Sequence, residues 1–204
     1  MTLKEIKTQV LSMIEELNPE SEYLTDDPDI QLKINSVINQ VQTELARLKK
    51  IPAKYVYDVA EHGNTLLLSA IPKLYQINKL STDKYTIEGD LEIVFDDDIE
   101  DTVTIYYYKY PELIDVIITP DEPTENGIEE TEEVETDTID DTYVFELATD
   151  ALEVLPYGVA ADLLKNDMIS DYGKHYYERY NMMMQMLDSR TTSGLVVAEG
   201  GLDI

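Results

Sequence analysis

The densest group of potential metal ligands in the sequence is an acidic run at Asp96, Asp97, Asp98, Glu100 and Asp101. Clustered carboxylate oxygens are the ligands that a hard cation such as Ca²⁺ prefers. The run lacks the D-x-[DN]-x-[DN]-G spacing of an EF-hand loop, whose glycine allows a sharp turn. We interpret it as an exposed acidic hairpin tip and predict no metal, with a Ca²⁺ site as the alternative.

Histidine, the side chain best suited to acid–base chemistry near neutral pH, occurs only at His62 and His175. The two lie in different parts of the chain, and neither has a second histidine four residues away. The sequence contains no G-x-S-x-G, no phosphate-binding loop and no G-x-G-x-x-G. We predict that His62 is a turn residue and that His175 is exposed on a helix. We also predict that the protein is not an enzyme and has no cofactor.

The charge balance restricts the possible partners, because 15 Lys and Arg against 43 Asp and Glu give a formal net charge of −28. Nucleic-acid binding through phosphate contacts needs clustered Lys and Arg. The one basic cluster is Arg47, Lys49 and Lys50, with Lys54 close by. Two interpretations fit this composition: a solvated surface that aids solubility, or the wall of a channel past which DNA slides without binding.

The chain has no cysteine, so we predict no disulfide and no thiolate metal site. It has no run of about 18 apolar residues, so we predict no membrane span. Its N-terminus alternates charged and apolar residues and has no apolar signal-peptide segment. We expect a protein that is made in a cytoplasm.

Residues 1–53 have the pattern of two amphipathic helices that pack on each other. Thr2 and Glu5 have the spacing of a capping box, and Asn18-Pro19 is predicted to stop the first helix. Asp27-Pro28 is predicted to cap and start the second, which ends near Ile51-Pro52. Apolar residues then follow at helical spacing from Ile30 to Leu48.

From residue 54 to 118 the apolar period changes to two, which predicts a small, mostly antiparallel module of five or six strands. Val103, Ile105 and Tyr107 are predicted to share one face of the last strand. Residues 119–142 hold 11 acidic residues and no basic one, and we expect an exposed acidic loop there. The fold class is therefore α+β, with a helical core of about four helices and an inserted antiparallel β module.

Helical patterning resumes over residues 143–190, where Pro156 is predicted to break or kink the chain and a last helix runs to about Ser189. Residues 191–204 have no helical pattern and are predicted to form an extended arm. Four methionines at 182, 183, 184 and 186 cannot all face one small core, so we predict contact with another chain. The predicted interface residues are Tyr172, Tyr176, Tyr180, Met183, Met184, Val196, Val197, Leu202 and Ile204.

A combination of motifs in this last region resembles a known family. Leu155-Pro156-Tyr157-Gly158 is followed by Ala160, Ala161, Leu163 and Leu164, and then by tyrosines at 172, 176 and 180. This pattern resembles the C-terminal helical pair of the head–tail connector, or neck adaptor, proteins of tailed bacteriophages. The N-terminal helical pair resembles that family more loosely, and residues 54–142 go beyond its compact members.

The resemblance implies a structural virion protein made in the bacterial host cytoplasm and located in the neck. It implies a ring of about twelve copies below the portal protein, joined to the next neck or tail protein, with DNA passing through unbound. It implies no catalytic residues. The alternative is an adhesion or carbohydrate-binding module on the β insertion, for which Tyr106, Tyr107, Tyr108 and Tyr110 are candidates.

Overall fold

A computed structural model describes residues 1–89, 91–99, 101–115, 143–165 and 171–191. It confirms the α+β fold class, with helices and two small antiparallel sheets. The helices are α1 (Leu3–Met13), α2 (Pro28–Lys49), α3 (Val59–His62), α4 (Thr149–Leu152), α5 (Leu155–Leu163) and α6 (Asp171–Thr191). The strands are β1 (Ile51–Asp58), β2 (Thr65–Leu67), β3 (Leu74–Leu80), β4 (Tyr85–Glu88), β5 (Glu92–Phe95) and β6 (Thr102–Lys109).

The helical core combines the two ends of the described chain, because α1 and α2 pack against α5 and α6. Its fully buried side chains come from both halves, with Ile6, Ile38 and Leu45 on one side and Leu155 and Val159 on the other. A short antiparallel bridge between Thr2 and Val144 also joins the two halves. The β module lies between these halves in sequence, as an insertion would.

The start of α1 follows the sequence prediction, but its end does not. The Thr2 hydroxyl accepts from the Glu5 backbone N–H, and the Glu5 carboxylate accepts from the Thr2 N–H, which is the predicted capping box. The helix stops at Met13, before the expected Asn18-Pro19. Glu15 has a φ of 64°, and the Glu16 N–H bonds to the Leu11 carbonyl. This is a Schellman ending that uses glutamate in place of the usual glycine.

The helix α2 begins as predicted, with the Asp27 carboxylate accepting from the backbone N–H groups of Asp29 and Ile30. At its other end Lys50 adopts a φ of 51°. This single residue turns the chain directly from α2 into β1, so the first strand begins at Ile51 and not near residue 54. Pro52 is accommodated because β1 is an edge strand.

The β module consists of two three-stranded antiparallel sheets with strand orders β1-β6-β3 and β2-β5-β4. The six strands among the described residues agree with the upper end of the predicted number. Val103, Ile105 and Tyr107 share the buried face of β6, as predicted. They pack in a second core with Tyr57, Val59, Leu66, Ile71, Ile93 and Phe95. The two sheets therefore enclose an apolar cluster of their own.

The helix α5 contains Pro156, which was predicted to break or kink the chain, and Gly158, which lies where three helices meet. Pro156 lies in the first turn, where a missing N–H costs nothing, so the break precedes it at Glu153-Val154. A Cβ on Gly158 would lie 2.7 Å from both the Tyr180 ring and a Val41 methyl group. The glycine thus allows α2, α5 and α6 to approach closely. The predicted acidic loop and the arm beyond Thr191 lie outside the described residues.

Side-chain amides on α2 hold the chain where it leaves the β module. Asn39 donates to the Ile114 carbonyl at 2.7 Å and accepts from the Ile114 N–H at 2.8 Å. Gln42 donates to the Glu112 carbonyl at 3.0 Å, and Asn35 donates to the Asp115 carbonyl at 2.7 Å. The three residues follow a 35, 39, 42 spacing along one helix face, and we call them the amide ladder. Tyr143 closes the arrangement, because its hydroxyl lies 3.0 Å from Gln42 Oε1 and 2.6 Å from the Glu112 carbonyl.

We expect the substitution Asn39→Ala to destabilise the protein by about 2–4 kcal/mol, because it leaves the N–H and the carbonyl of Ile114 without partners. Urea unfolding followed by circular dichroism measures this change. Gln40→Ala is the matched control, since Gln40 is exposed on the same helix and its bond, to Glu44, is 3.4 Å long. The control should change stability by less than about 0.5 kcal/mol. Equal effects of the two substitutions would contradict a structural role for the ladder.

Candidate interaction surfaces

Four of the predicted interface residues on α6 point towards the protein's own helical core. The Tyr180 hydroxyl bonds to Glu44 Oε2 at 3.0 Å, and the Tyr176 hydroxyl bonds to the Met13 carbonyl at 2.6 Å. Met183 and Met184 are half-buried and pack on the same core. These side chains therefore form contacts within the chain, and any role between chains stays a prediction.

The outward side of α6 carries other large apolar residues. Met182 and Met186 are 41% and 53% exposed, and they lie four residues apart on the same helix face. Tyr177, on a different flank, is 59% exposed. Two of the four methionines thus face away from the core. The side chain of Tyr172 and residues 196, 197, 202 and 204 lie outside the described part of the chain.

An open groove of about 470 Å³ lies between α2, α5 and α6. Its wall includes Tyr180 and Gly158 together with the carboxylates of Glu44 and Asp162. Burial and the neighbouring Glu44 carboxylate raise the pKa of the Tyr180 phenol far above its ordinary value. The phenol is therefore held as a hydrogen-bond donor to Glu44, which makes it a structural link between α2 and α6.

A second surface combines tyrosines with cations on the outer face of the sheet β1-β6-β3. Tyr106 lies opposite Lys54 on one side and Lys79 on the other, with the Lys79 ammonium 5.1 Å from its ring centre. The next two rings towards the helical core are covered by residues at the C-terminal end of α2 and directly after it. Lys50 lies 5.0 Å from the Tyr108 ring centre, and the Arg47 guanidinium lies 5.8 Å from that of Tyr110. We call these seven residues the cationic tyrosine face.

Most other lysines near this surface are engaged with carboxylates. Lys49 belongs to the predicted basic cluster in the sequence, but its ammonium group pairs with the Asp150 carboxylate at 2.8 Å. This pairing lowers the pKa of the Asp150 carboxyl group. Lys109 pairs with Glu146 at 2.5 Å, which ties the β module to the helical core. Within the described ranges, no salt bridge joins Arg47, Lys50, Lys54 or Lys79 to a carboxylate. Lys49 is thus a structural residue, and Lys79 joins the surface from a distant part of the sequence.

The tyrosines proposed for the carbohydrate alternative do not form an open stacking platform. Tyr107 is buried beneath the sheet, where its hydroxyl bonds to the Pro72 carbonyl. A cation covers one face of each of Tyr106, Tyr108 and Tyr110. Sugar binding would need such ring faces to be free for stacking. The arrangement therefore gives that alternative less support, and it stays a prediction.

The acidic run after Phe95 was predicted to be a hairpin tip, and this prediction is wrong, because the run connects β5 to β6 and these strands lie in different sheets. Its described carboxylates, Asp96, Asp97, Asp98 and Asp101, are exposed, and two of them make contacts within the module. Asp98 pairs with Lys84, and the Asp97 carboxylate accepts from the Asn64 amide at 3.2 Å. Among the residues that the structure describes, no three His, Asp or Glu side chains come together as a metal site would require. His62 is exposed at the end of α3 and is not part of a turn, whereas His175 is exposed on α6 as predicted.

No protein-family model matches the chain, and comparison with curated proteins finds no match. Within the described residues, no helix is long and apolar enough to cross a membrane. The surfaces of the molecule are therefore the basis for assigning a function.

The link between Tyr180 and Glu44 makes stability depend on pH in the alkaline range. The folded pKa of Tyr180 is raised above the unfolded value of about 10. Its contribution is therefore fully present below pH 10 and is lost as the pH rises beyond that value, because the unfolded phenol then releases its proton first. We expect Tyr180→Phe to cost about 1–2 kcal/mol at pH 8 and to lose less stability than the wild type between pH 9 and about 11.

Urea unfolding at several pH values measures both effects. Tyr177→Phe is the matched control, because Tyr177 lies on the same helix, is exposed, and has no hydrogen bond to Glu44. The control should follow the wild type at every pH. If Tyr180→Phe loses as much stability as the wild type between pH 9 and about 11, the hydrogen bond from Tyr180 to Glu44 is not the cause of the pH dependence.

Proposed function

We propose that this chain is a structural protein of a tailed-phage virion: a head–tail connector that forms a ring below the portal. The ring joins the portal to the next neck or tail protein, and DNA passes through it. The resemblance of residues 155–180 to neck adaptors motivates the proposal. The observation that carries it is the division of α6 into a face that packs on the core and an outward face with Met182 and Met186.

The outward face of α6 supports a contact between proteins better than it supports catalysis. Methionine is unbranched and polarisable, so it adapts to partner surfaces of different shape. The helix that carries it is held rigidly, because Leu187 is buried and Tyr180 is bonded to α2. A rigid helix that displays adaptable apolar side chains is suited to docking. The portal protein is the partner that we assign to this face.

The charge of the chain supports the proposed DNA passage. At a formal net charge of −28, acidic groups that face the bore would repel phosphates within the Debye length of about 8 Å. Such a wall provides no sequence recognition, because it makes no contact with base edges. The C-terminal arm, with Val196, Val197, Leu202 and Ile204, is proposed to bind the downstream neck or tail protein by adding a strand or filling a groove.

Quantitative mass spectrometry of purified virions, scaled to the portal protein of the same particles, tests the proposal. We expect a copy number equal to that of a closed ring, about twelve per particle. One or two copies per particle, or absence of the chain from virions, would exclude the ring. If the copy number is that of a closed ring, we expect electron microscopy of the neck to show the chain below the portal.

The substitution Met182→Asp places a charge on the outward face of α6. We expect the stability of the isolated protein to change by less than about 0.5 kcal/mol, because the side chain is already 41% exposed. Incorporation into virions should be lost, since the new carboxylate would be buried against the partner. Leu91→Asp is the matched control, because it adds the same charge at a side chain that is 71% exposed on the β module. Normal incorporation of both variants would count against this docking face.

A further inference from the structure

We propose that the cationic tyrosine face binds the acidic end of the β module of a second copy of this chain. This inference rests on the proposed function, because it identifies the lateral contact between neighbours in the proposed ring. Every copy of the chain carries both surfaces, but within one copy they lie too far apart to touch.

The first partner is a preorganised group of positive charges. Arg47, Lys50 and Lys79 each lie within 6 Å of the centre of a tyrosine ring, at 5.8, 5.0 and 5.1 Å. Cation–π contact holds the charged groups in place over the sheet but does not neutralise them. Lys54 lies opposite Tyr106 in the same row. Four cations without a carboxylate partner among the described residues are unusual in a chain with 43 acidic residues against 15 basic ones.

The second partner is the opposite end of the same sheet. Asp101 directly precedes β6, and Asp58 lies opposite Thr102 in the strand register. The exposed connection from β5 to β6 adds Asp96, Asp97 and Asp98, of which Asp98 is paired with Lys84. The side chains of Asp96 and Asp101 have no hydrogen bond or salt bridge among the described residues. This end therefore carries the carboxylates that the cationic tyrosine face lacks.

The geometry prevents the two ends from meeting within one copy. Lys54 and Lys79 lie opposite Tyr106, which is five residues along the chain from Asp101. At about 3.3 Å per residue the separation is roughly 16 Å, too far for a salt bridge within one copy. Contact between two unlike surfaces on different copies is heterologous, and such contacts form rings when the rotation closes. Complementary exposed charges also fix the orientation of the two partners, and the contact weakens as salt screens them.

Nucleic acid is the other polyanion that four cations and three tyrosines could attract. We favour a second copy of this chain, because every copy carries the complementary carboxylates and because acidic residues outnumber basic ones in the chain. A phosphate backbone would also have to approach through the negative field of the remaining surface. Binding of DNA at this face is therefore an outcome that the experiment must be able to detect.

The test uses zero-length carbodiimide cross-linking of an equimolar mixture of ¹⁵N-labelled and unlabelled full-length protein, followed by mass spectrometry. We expect cross-links that join one labelled and one unlabelled peptide, between Lys54 or Lys79 and Asp96 or Asp101. Raising the salt from about 0.1 M to about 1 M should remove them, because the Debye length falls from about 10 Å to about 3 Å. Absence of these mixed cross-links at the lower salt concentration would overturn the proposal.

A charge exchange makes the test specific. The variant Lys54→Glu/Lys79→Glu has two acidic ends, and the variant Asp96→Lys/Asp101→Lys has two basic ends, so each alone should lose self-association in sedimentation velocity. Mixed together they should associate again, because each surface then meets its opposite. The control Lys33→Glu/Lys174→Glu makes the same change in net charge at exposed lysines on α2 and α6 and should behave as the wild type.

The remaining outcomes are equally decisive. If the exchanged mixture stays monomeric while each variant retains the wild-type circular dichroism spectrum, the contact is refuted. If labelled duplex DNA binds the wild type but not Lys54→Glu/Lys79→Glu, the face is a nucleic-acid site and the proposal is wrong. If virions lack a ring of this chain but the mixture of the two charge-exchanged variants associates in solution, the proposed connector function is wrong and the contact between copies is supported.

Discussion

The hydrogen bonds between the amide ladder and residues 112–115 are the constraint on which the two parts of the molecule depend. The helical core and the β module each have their own apolar cluster, so burial alone does not set how they are joined. Asn39 binds both the N–H and the carbonyl of Ile114, as a neighbouring strand would. The ladder thus holds the chain against α2 at the point where it leaves the module, while Lys50 connects α2 to β1 at the point of entry.

The parts of the fold that were predictable have local causes. Capping at Thr2 and Asp27, and the alternation of Val103, Ile105 and Tyr107, depend on neighbours a few residues away. The end of α1 was missed because Glu15 adopts a positive φ that sequence statistics assign to glycine. The amide ladder was missed because Asn35, Asn39 and Gln42 have the polarity expected of a solvated helix face. Their partners lie 70 or more residues away in the chain.

The candidate surfaces were predictable in composition but not in orientation. A helix with eight large apolar residues from Tyr176 to Leu187 has more apolar area than one core can cover, and this was evident from the sequence. The orientation of α6, and so the choice of the methionines that face outward, depends on the close contact between Gly158 of α5 and Tyr180 of α6. This contact is between helices and is not visible in the local sequence. Only part of the cationic tyrosine face was predictable from the sequence. Arg47, Lys50 and Lys54 cluster in the sequence, but Lys79 joins them through a strand pairing with irregular register.

The pairing of β1 with β6 has a consequence for how the molecule folds. The helical core needs α1 and α2 to meet α5, which follows a long intervening stretch of chain, and closing such a loop slows folding. Antiparallel pairing brings Ile51 and Lys109 side by side and so shortens the effective separation between the core's halves. A transition state with this strand pair already formed would make refolding rates sensitive to substitutions in β1 and β6. Substitutions on the outward side of α6 would then act mainly on the rate of unfolding.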